Sequence, residues 1–78
     1  MDVLIVEDNS ELGELLLDFL AAGGYEAEKE ESGEQALELF AAHNPRLVVL
    51  DIMLPGMDGF AVCAKIRRTS DVPIIIVS

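Results

Sequence analysis

The chain is poor in cysteine, aromatic residues and positive charge. Cys63 is its only cysteine, which excludes an internal disulfide and a metal cluster held by several thiolates. Aromatic residues make up 5% of the chain, so aliphatic side chains must fill the core of a protein that is 51% hydrophobic. The sequence has 5 Lys and Arg against 15 Asp and Glu, a formal net charge of -10. Such a charge repels nucleic acid and anionic membranes and favours a metal ion or a basic partner.

Long apolar runs are also missing. No stretch reaches the roughly 18 residues of a membrane span, and the start of the chain lacks the basic region and apolar core of a signal peptide. We therefore expect a cytoplasmic location and no membrane contact. With 78 residues the chain can form one domain, whose core is only just large enough for independent folding.

Four short segments predict strands that alternate with helices. Val3 to Val6, Leu47 to Leu50 and Ile74 to Val77 are apolar at every position, which is typical of parallel strands covered on both faces. Tyr25 to Lys29 is charged, which favours an edge strand. The alternation predicts an α/β fold with an open parallel sheet and right-handed connections.

Capping residues and helical spacing predict a helix after each of the first three strands. Asn9-Ser10 can cap the first helix, Ser32 with Gln35 forms a capping box for the second, and Asp58 can cap the third. The residues expected to form the apolar face of the first helix are Leu12, Leu15, Leu16, Phe19 and Leu20. Those expected to face the core from the third helix are Phe60, Cys63 and Ile66.

Three carboxylates follow two of the predicted strands. Glu7 and Asp8 come directly after the first strand, and Asp51 comes directly after the third. If these strands are parallel neighbours, the acids meet at one edge of the sheet, and such a cluster is normally tolerated only with a cation. The pattern predicts a site for a hard divalent metal. Taken alone, Glu7 and Asp8 could also be a solvated strand end that complements the dipole of the next helix.

Three motifs together resemble a known family. They are Leu4-Ile5-Val6-Glu7-Asp8-Asn9, the segment from Leu50 to Gly59, and the segment from Val72 to Ser78. In this order they are similar to the response-regulator receiver domains of bacterial two-component signalling. The resemblance implies a flavodoxin-like sheet with strand order 2-1-3-4. The segment from Leu50 to Gly59 most resembles receivers of winged-helix transcription factors, although no DNA-binding residues are present in this chain.

The resemblance also implies roles for single residues. Asp51 would accept a phosphoryl group from a phosphohistidine of a sensor histidine kinase. Glu7, Asp8, Asp51 and the backbone carbonyl of Met53 would hold Mg²⁺, and Ser78 would be a switch hydroxyl that turns toward the phosphoryl group. We therefore expect a phosphoacceptor module of a phosphorelay, and not an enzyme.

The chain departs from the family pattern after the fourth strand. Receivers continue with a helix, a fifth strand that carries an active-site lysine, and a last helix, so we expect residues 1–78 to form a single truncated domain. Lys29 and Lys65 match no position of that lysine and are expected to be solvated. We also expect the segment Ile74 to Val77 to be an exposed edge that self-associates or binds a partner that completes the sheet.

Three other functions stay open from the sequence. An aspartate-nucleophile phosphatase needs a second acid two residues after Asp51, where this chain has Met53. A flavin-binding module shares the order of strands and helices, but its phosphate would meet Glu7 and Asp8. A fragment that acts only in assembly through its fourth strand would need no metal ion.

Overall fold

The computed structural model describes residues 1–77, which form an alternating series of strands and helices. The elements are β1 (Val3–Val6), α1 (Ser10–Ala22), β2 (Ala27–Glu30), α2 (Gly33–His43), β3 (Leu47–Asp51), α3 (Gly59–Arg67) and β4 (Ile74–Val77). All three strand pairs are parallel, and the order of strands in the sheet is β2-β1-β3-β4. The predicted α/β fold with strand order 2-1-3-4 is confirmed. Among the described residues, no helix is long and apolar enough to cross a bilayer.

The strand register puts the ends of the central strands at the same height. Val6, the last residue of β1, pairs with Glu30 of β2 and with Leu50 of β3. Asp51 is the next residue of β3 and pairs with Val77 of β4. The residues that follow β1 therefore lie beside the end of β3, at one edge of the sheet.

The main core lies between the sheet and the helices α2 and α3. Leu4 and Leu50 are fully buried on the sheet, and Val62 is fully buried on α3. The complete buried cluster consists of Leu4, Val6, Ala36, Phe40, Val48, Leu50, Leu54, Val62, Ile66 and Val72. Aliphatic residues dominate this cluster, as the scarcity of aromatic residues requires.

The face that α3 presents to the core agrees with the prediction at Ile66, which is buried, and in part at Cys63, but not at Phe60. Phe60 is 64% exposed, whereas Gly59, Val62 and Ile66 are buried. The reason is the start of the helix, where Gly59 packs so closely against the backbone of Ile52 that a Cβ atom would overlap it. This contact sets the rotation of α3, which turns Phe60 outward and leaves Cys63 half-buried beside the core.

The face predicted for α1 is also largely uncovered. Leu12, Leu15 and Phe19 are 39%, 63% and 78% exposed, and the only fully buried residue of this helix is Gly13. The helix contacts β1 and β2. The apolar spacing of α1 therefore identified the helix correctly but did not show which elements cover it.

The burial of β3 also differs from the prediction. Coverage of both faces was expected, but burial alternates along the strand and Val49 is only half-buried.

The edge strand β2 differs from the prediction in two details. It spans Ala27–Glu30, so it begins two residues later than Tyr25, which is 56% exposed. Lys29 is not solvated as expected, because its aliphatic stem packs against Gly13 and leaves 20% of the side chain exposed. Its ammonium nitrogen lies 3.6 Å from Oε2 of Glu31.

Candidate functional site

Glu7, Asp8 and Asp51 lie together at the carboxyl edge of the sheet. Glu7 and Asp8 follow β1, and Asp51 ends β3. One carboxylate oxygen from each of the three residues lies within 4.8 Å of the other two. Opposite oxygens around one Mg²⁺ ion are about 4.2 Å apart, so only a small adjustment separates this cluster from a shared coordination sphere. The two strands thus bring together the acids that the sequence singled out.

Glu7 is the buried member of this cluster. It is 5% exposed, and its Oε2 accepts the backbone N–H of Asn9 at 3.1 Å. Burial raises the pKa of Glu7 above its ordinary value; the Asn9 N–H opposes this rise, and the Asp51 and Asp8 carboxylates add to it. The buried carboxylate is therefore held in an environment that disfavours its negative charge, which a bound cation would offset.

Asp51 is held by the loop that follows it. Its Oδ1 accepts the backbone N–H of Met53 at 2.9 Å, which restricts rotation of the carboxylate. The two ends of the loop are also hydrogen-bonded to each other, because the N–H of Gly59 donates to the carbonyl of Ile52 at 3.0 Å. The structure thus shows a contact between the N–H of Met53 and Asp51. Ligation of a metal ion by the Met53 carbonyl stays a prediction.

Two predicted helix caps are confirmed, one at the start of α1 and one at the start of α3. Oδ1 of Asn9 accepts the N–H of Leu12 at 3.0 Å at the start of α1, directly after the acidic pair. Oδ1 of Asp58 accepts the N–H of Ala61 at 2.9 Å at the start of α3. Each cap fixes the point at which the chain leaves the carboxyl edge and enters a helix.

An open cavity of about 490 Å³ lies over the three acids. Its lining consists of Glu7, Asp8, Asn9, Leu12, Asp51, Met53 and Val77. Sequence reasoning missed Asn9, Leu12 and Val77 as lining residues. The position of Val77 could have been found from the strand register, since it pairs with Asp51. Ser78, the predicted switch hydroxyl, lies outside the described residues. Lys29 and Lys65 do not line this cavity.

Comparison with known proteins identifies the family. Residues 3–78 match the family model described as the response regulator receiver domain. The chain belongs to this family. Receiver domains are signalling modules of two-component systems that interact with sensor histidine kinases, and they generally bind Mg²⁺ at an acidic pocket.

Two curated relatives of this receiver domain are transcriptional regulators. The transcriptional regulatory protein BaeR of Escherichia coli O6:H1 is 46% identical over 76 residues, which cover 97% of this chain and 32% of that protein. The probable transcriptional regulator ycf27 of Guillardia theta is 45% identical over 76 residues, covering 97% of this chain and 30% of that protein. The chain thus spans about a third of the length of these relatives.

Solved receiver structures have the same fold as this chain. The BeF3-activated N-terminal receiver domain of Klebsiella pneumoniae RstA superimposes with a TM-score of 0.92 at 37% identity, covering 97% of this chain and 65% of that one. The N-terminal domain of a response regulator receiver protein from Methanoculleus marisnigri gives a TM-score of 0.93 at 32% identity, with coverage of 99% and 65%. The described strands and helices therefore match about two thirds of a solved receiver domain.

Proposed function

We propose that this receiver domain accepts a phosphoryl group on Asp51 from a phosphohistidine of a sensor histidine kinase, in a site that holds Mg²⁺. The observation that supports it best is the convergence of Glu7, Asp8 and Asp51, whose carboxylate oxygens lie within 4.8 Å of one another. The cavity above them is open, so a phosphodonor can reach the cluster. We place this reaction in the cytoplasm, in line with the composition of the chain.

The donor set of this site fits a hard divalent cation. Glu7, Asp8, Asp51 and the backbone carbonyl of Met53 would all offer oxygen, directly or through water, and Mg²⁺ prefers such ligands. Burial of Glu7 with a raised pKa gives a site that a positive charge would stabilise. When bound, the ion would offset the negative charge of the carboxylates and of the phosphoryl oxygens during transfer.

Asp51 is the proposed nucleophile. The N–H of Met53 already orients its carboxylate through Oδ1, so little reorganisation is needed before attack. A carboxylate oxygen would form a bond to phosphorus while the phosphorus–nitrogen bond of the phosphohistidine breaks, and the imidazole would leave with the electron pair. The product on this chain would be an aspartyl phosphate.

The proposed signal is read next to the aspartyl phosphate. Ser78 is proposed as the switch hydroxyl because it follows Val77, which pairs with Asp51 and lines the cavity. The relatives named as transcriptional regulators suggest that the output of a longer parent protein is transcription. We also propose that this segment does not itself bind DNA, because its net charge is -10.

Labelling with acetyl phosphate in the presence of Mg²⁺ tests the proposal. We expect intact-mass spectrometry to detect one added phosphoryl group, and chelation of the metal with EDTA to abolish it. The matched variants are Asp51→Asn, which should not be labelled, and Asp58→Asn, which changes an acid that only caps α3 and should be labelled normally. Equal labelling of Asp51→Asn and the unsubstituted protein would contradict the proposal.

A second candidate function is assembly through β4, which the exposure of that strand favours. β4 lies at the edge of the sheet, and Ile75, Ile76 and Val77 are 53%, 46% and 40% exposed. An apolar edge strand can pair with a second copy of the chain. Sedimentation velocity at micromolar concentration tests this: we expect a dimer or larger species that Ile76→Lys reduces to monomer.

The control for that experiment is Phe60→Lys, which makes the same kind of change at an exposed residue of α3. It should leave the sedimentation of the protein unchanged. A folded monomer for the unsubstituted chain under these conditions would rule out assembly through β4.

A further inference from the structure

We propose that Met53 is a peroxide-sensitive site, and that oxidation of its thioether to the sulfoxide lowers phosphoryl acceptance at Asp51. The first half of this proposal concerns the reactivity of one side chain and stands on the structure by itself. The second half rests on the proposed function. The two halves are therefore measured separately.

Met53 is the most accessible sulfur-containing residue in the described part of the chain. It is 75% exposed, whereas Met57 in the same loop is half-buried and packs against the core and beside Gly33. The side chain of Met1 is 1% exposed, and Cys63 is half-buried on α3. Accessibility is a main determinant of how fast a methionine is oxidised, so peroxide should reach Met53 first.

Met53 also has a direct structural link to the acidic site. Met53 lines the cavity together with Glu7, Asp8 and Asp51, and its N–H donates to Oδ1 of Asp51. Met53 is therefore part of the wall of the cavity through which an anionic phosphodonor would approach Asp51. Met1 and Met57 do not line this cavity, so Met53 is the only methionine among residues 1–77 that does.

Oxidation would change the chemistry of that wall. Hydrogen peroxide transfers one oxygen atom to the sulfur: the O–O bond breaks, the sulfur is oxidised by two electrons, and the other oxygen leaves as water. The sulfoxide oxygen carries partial negative charge and replaces an apolar surface with a polar one. It would belong to a residue of the same cavity that three carboxylates line, where it raises the free-energy cost of bringing in an anionic donor.

Peptide mapping by mass spectrometry tests the first half of the proposal. The full chain is treated with increasing hydrogen peroxide, and the oxidised fractions of each methionine and of Cys63 are measured. We expect Met53 to reach half oxidation at a lower peroxide concentration than Met57, which is the internal control from the same loop. Equal rates, or faster oxidation of Met57 or Cys63, would overturn the assignment.

Labelling by acetyl phosphate with Mg²⁺ tests the second half, before and after peroxide treatment. The initial rate should fall about fivefold when Met53 is oxidised, a change of the size that a partial charge near the donor produces. Met53→Leu keeps the shape and cannot be oxidised, so its rate should be insensitive to peroxide. Met57→Leu should respond to peroxide as the unsubstituted protein does.

The outcomes separate the two proposals. Unchanged labelling of protein whose Met53 is fully oxidised overturns the regulatory half. An equal loss of labelling in Met53→Leu also overturns it, because another oxidised group is then responsible. If the untreated protein is never labelled, the proposed function fails and the regulatory half fails with it, whereas the order of methionine oxidation still decides the first half.

Discussion

Gly59 donates its N–H to the carbonyl of Ile52 at 3.0 Å and packs its Cα against the backbone of the same residue. This contact joins the start of α3 to the residue that follows Asp51. It fixes the rotation of α3 and closes the loop whose Met53 N–H holds the Asp51 carboxylate. The packing of one glycine thus supports both the core and the site.

Replacing Gly59 with alanine should be strongly destabilising. The added Cβ would overlap backbone atoms of Ile52 and lie 2.6 Å from the carbonyl oxygen of Asp51, none of which can move without shifting β3 or the loop. We expect a loss of about 3 kcal/mol in the free energy of unfolding, measured by urea denaturation.

The matched control for that substitution is Gly13→Ala. There the new Cβ would lie 2.9 Å from Cδ of Lys29, a flexible side chain that can move aside. Alanine is favoured over glycine within a helix by about 1 kcal/mol, so this variant should lie within about 1 kcal/mol of the unsubstituted protein. A similar loss in both variants would contradict the special role of Gly59.

The raised pKa of Glu7 predicts how stability depends on pH in the absence of a divalent metal. The folded protein binds this proton more tightly than the unfolded chain does, so the stabilising contribution is complete below the unfolded pKa of about 4.5. It is lost as the pH rises through the higher folded pKa. Urea denaturation in EDTA should therefore show a fall in stability over this range.

Glu7→Gln removes that titration and should flatten the profile. Glu28→Gln is the control, because it neutralises an exposed acid of β2 that is not part of the cluster. If the profile of Glu7→Gln followed that of the unsubstituted protein, Glu7 would not be the source of the pH dependence.

Addition of Mg²⁺ should raise the stability of the protein through the acidic cluster. A ligand that binds only the folded state stabilises it by about 1.4 kcal/mol at ten times its dissociation constant. Asp8→Asn should shift the concentration of Mg²⁺ needed for this effect upward. The melting temperature at increasing Mg²⁺ provides the measurement.

Glu34→Gln is the control for Asp8→Asn, since it removes the same charge from the first turn of α2, outside the cluster. It should leave the response to Mg²⁺ unchanged. Equal responses of all three proteins would show that the ion acts through the general negative charge and not through this site.

Asp58 should act only as a helix cap. Asp58→Ala removes the acceptor for the N–H of Ala61 and should cost about 1 kcal/mol in unfolding free energy. Asp58→Ser keeps a capping oxygen and should recover most of this loss. Neither variant should change the stabilisation by Mg²⁺; a weakened Mg²⁺ response in Asp58→Ser would assign this residue to the metal site.

The parallel sheet and the acidic cluster could be predicted because both follow from local patterns, whereas the strand order was implied by the resemblance to receiver domains. Short apolar runs that alternate with helices predict a parallel sheet, and the register then brings Glu7 and Asp51 to one edge. The caps at Asn9, Ser32 and Asp58 were also predictable, because each depends on one side chain and a nearby N–H. The roles of these acids in metal binding and phosphoryl transfer stay predictions.

Tertiary contacts explain what could not be predicted. The exposure of Phe60 depends on the close packing of Gly59 against Ile52, which has no signature in helical spacing. The exposure of Phe19 depends on which elements pack over α1, and an apolar pattern in the sequence does not show which elements these are. That residues 1–78 form one truncated domain also stays a prediction.

The difference in burial between the central strands and α1 has a consequence for hydrogen exchange. Amides in the middle of β1 and β3 are paired on both sides beneath α2 and α3, so their exchange should require opening of the whole domain. Amides of α1 should exchange through local fraying, which needs less free energy, because Gly13 is the only residue of that helix that is fully buried. Asp8 and Asn9 join these two regions, so the cavity over the three acids lies at the boundary between slow and fast deuterium uptake.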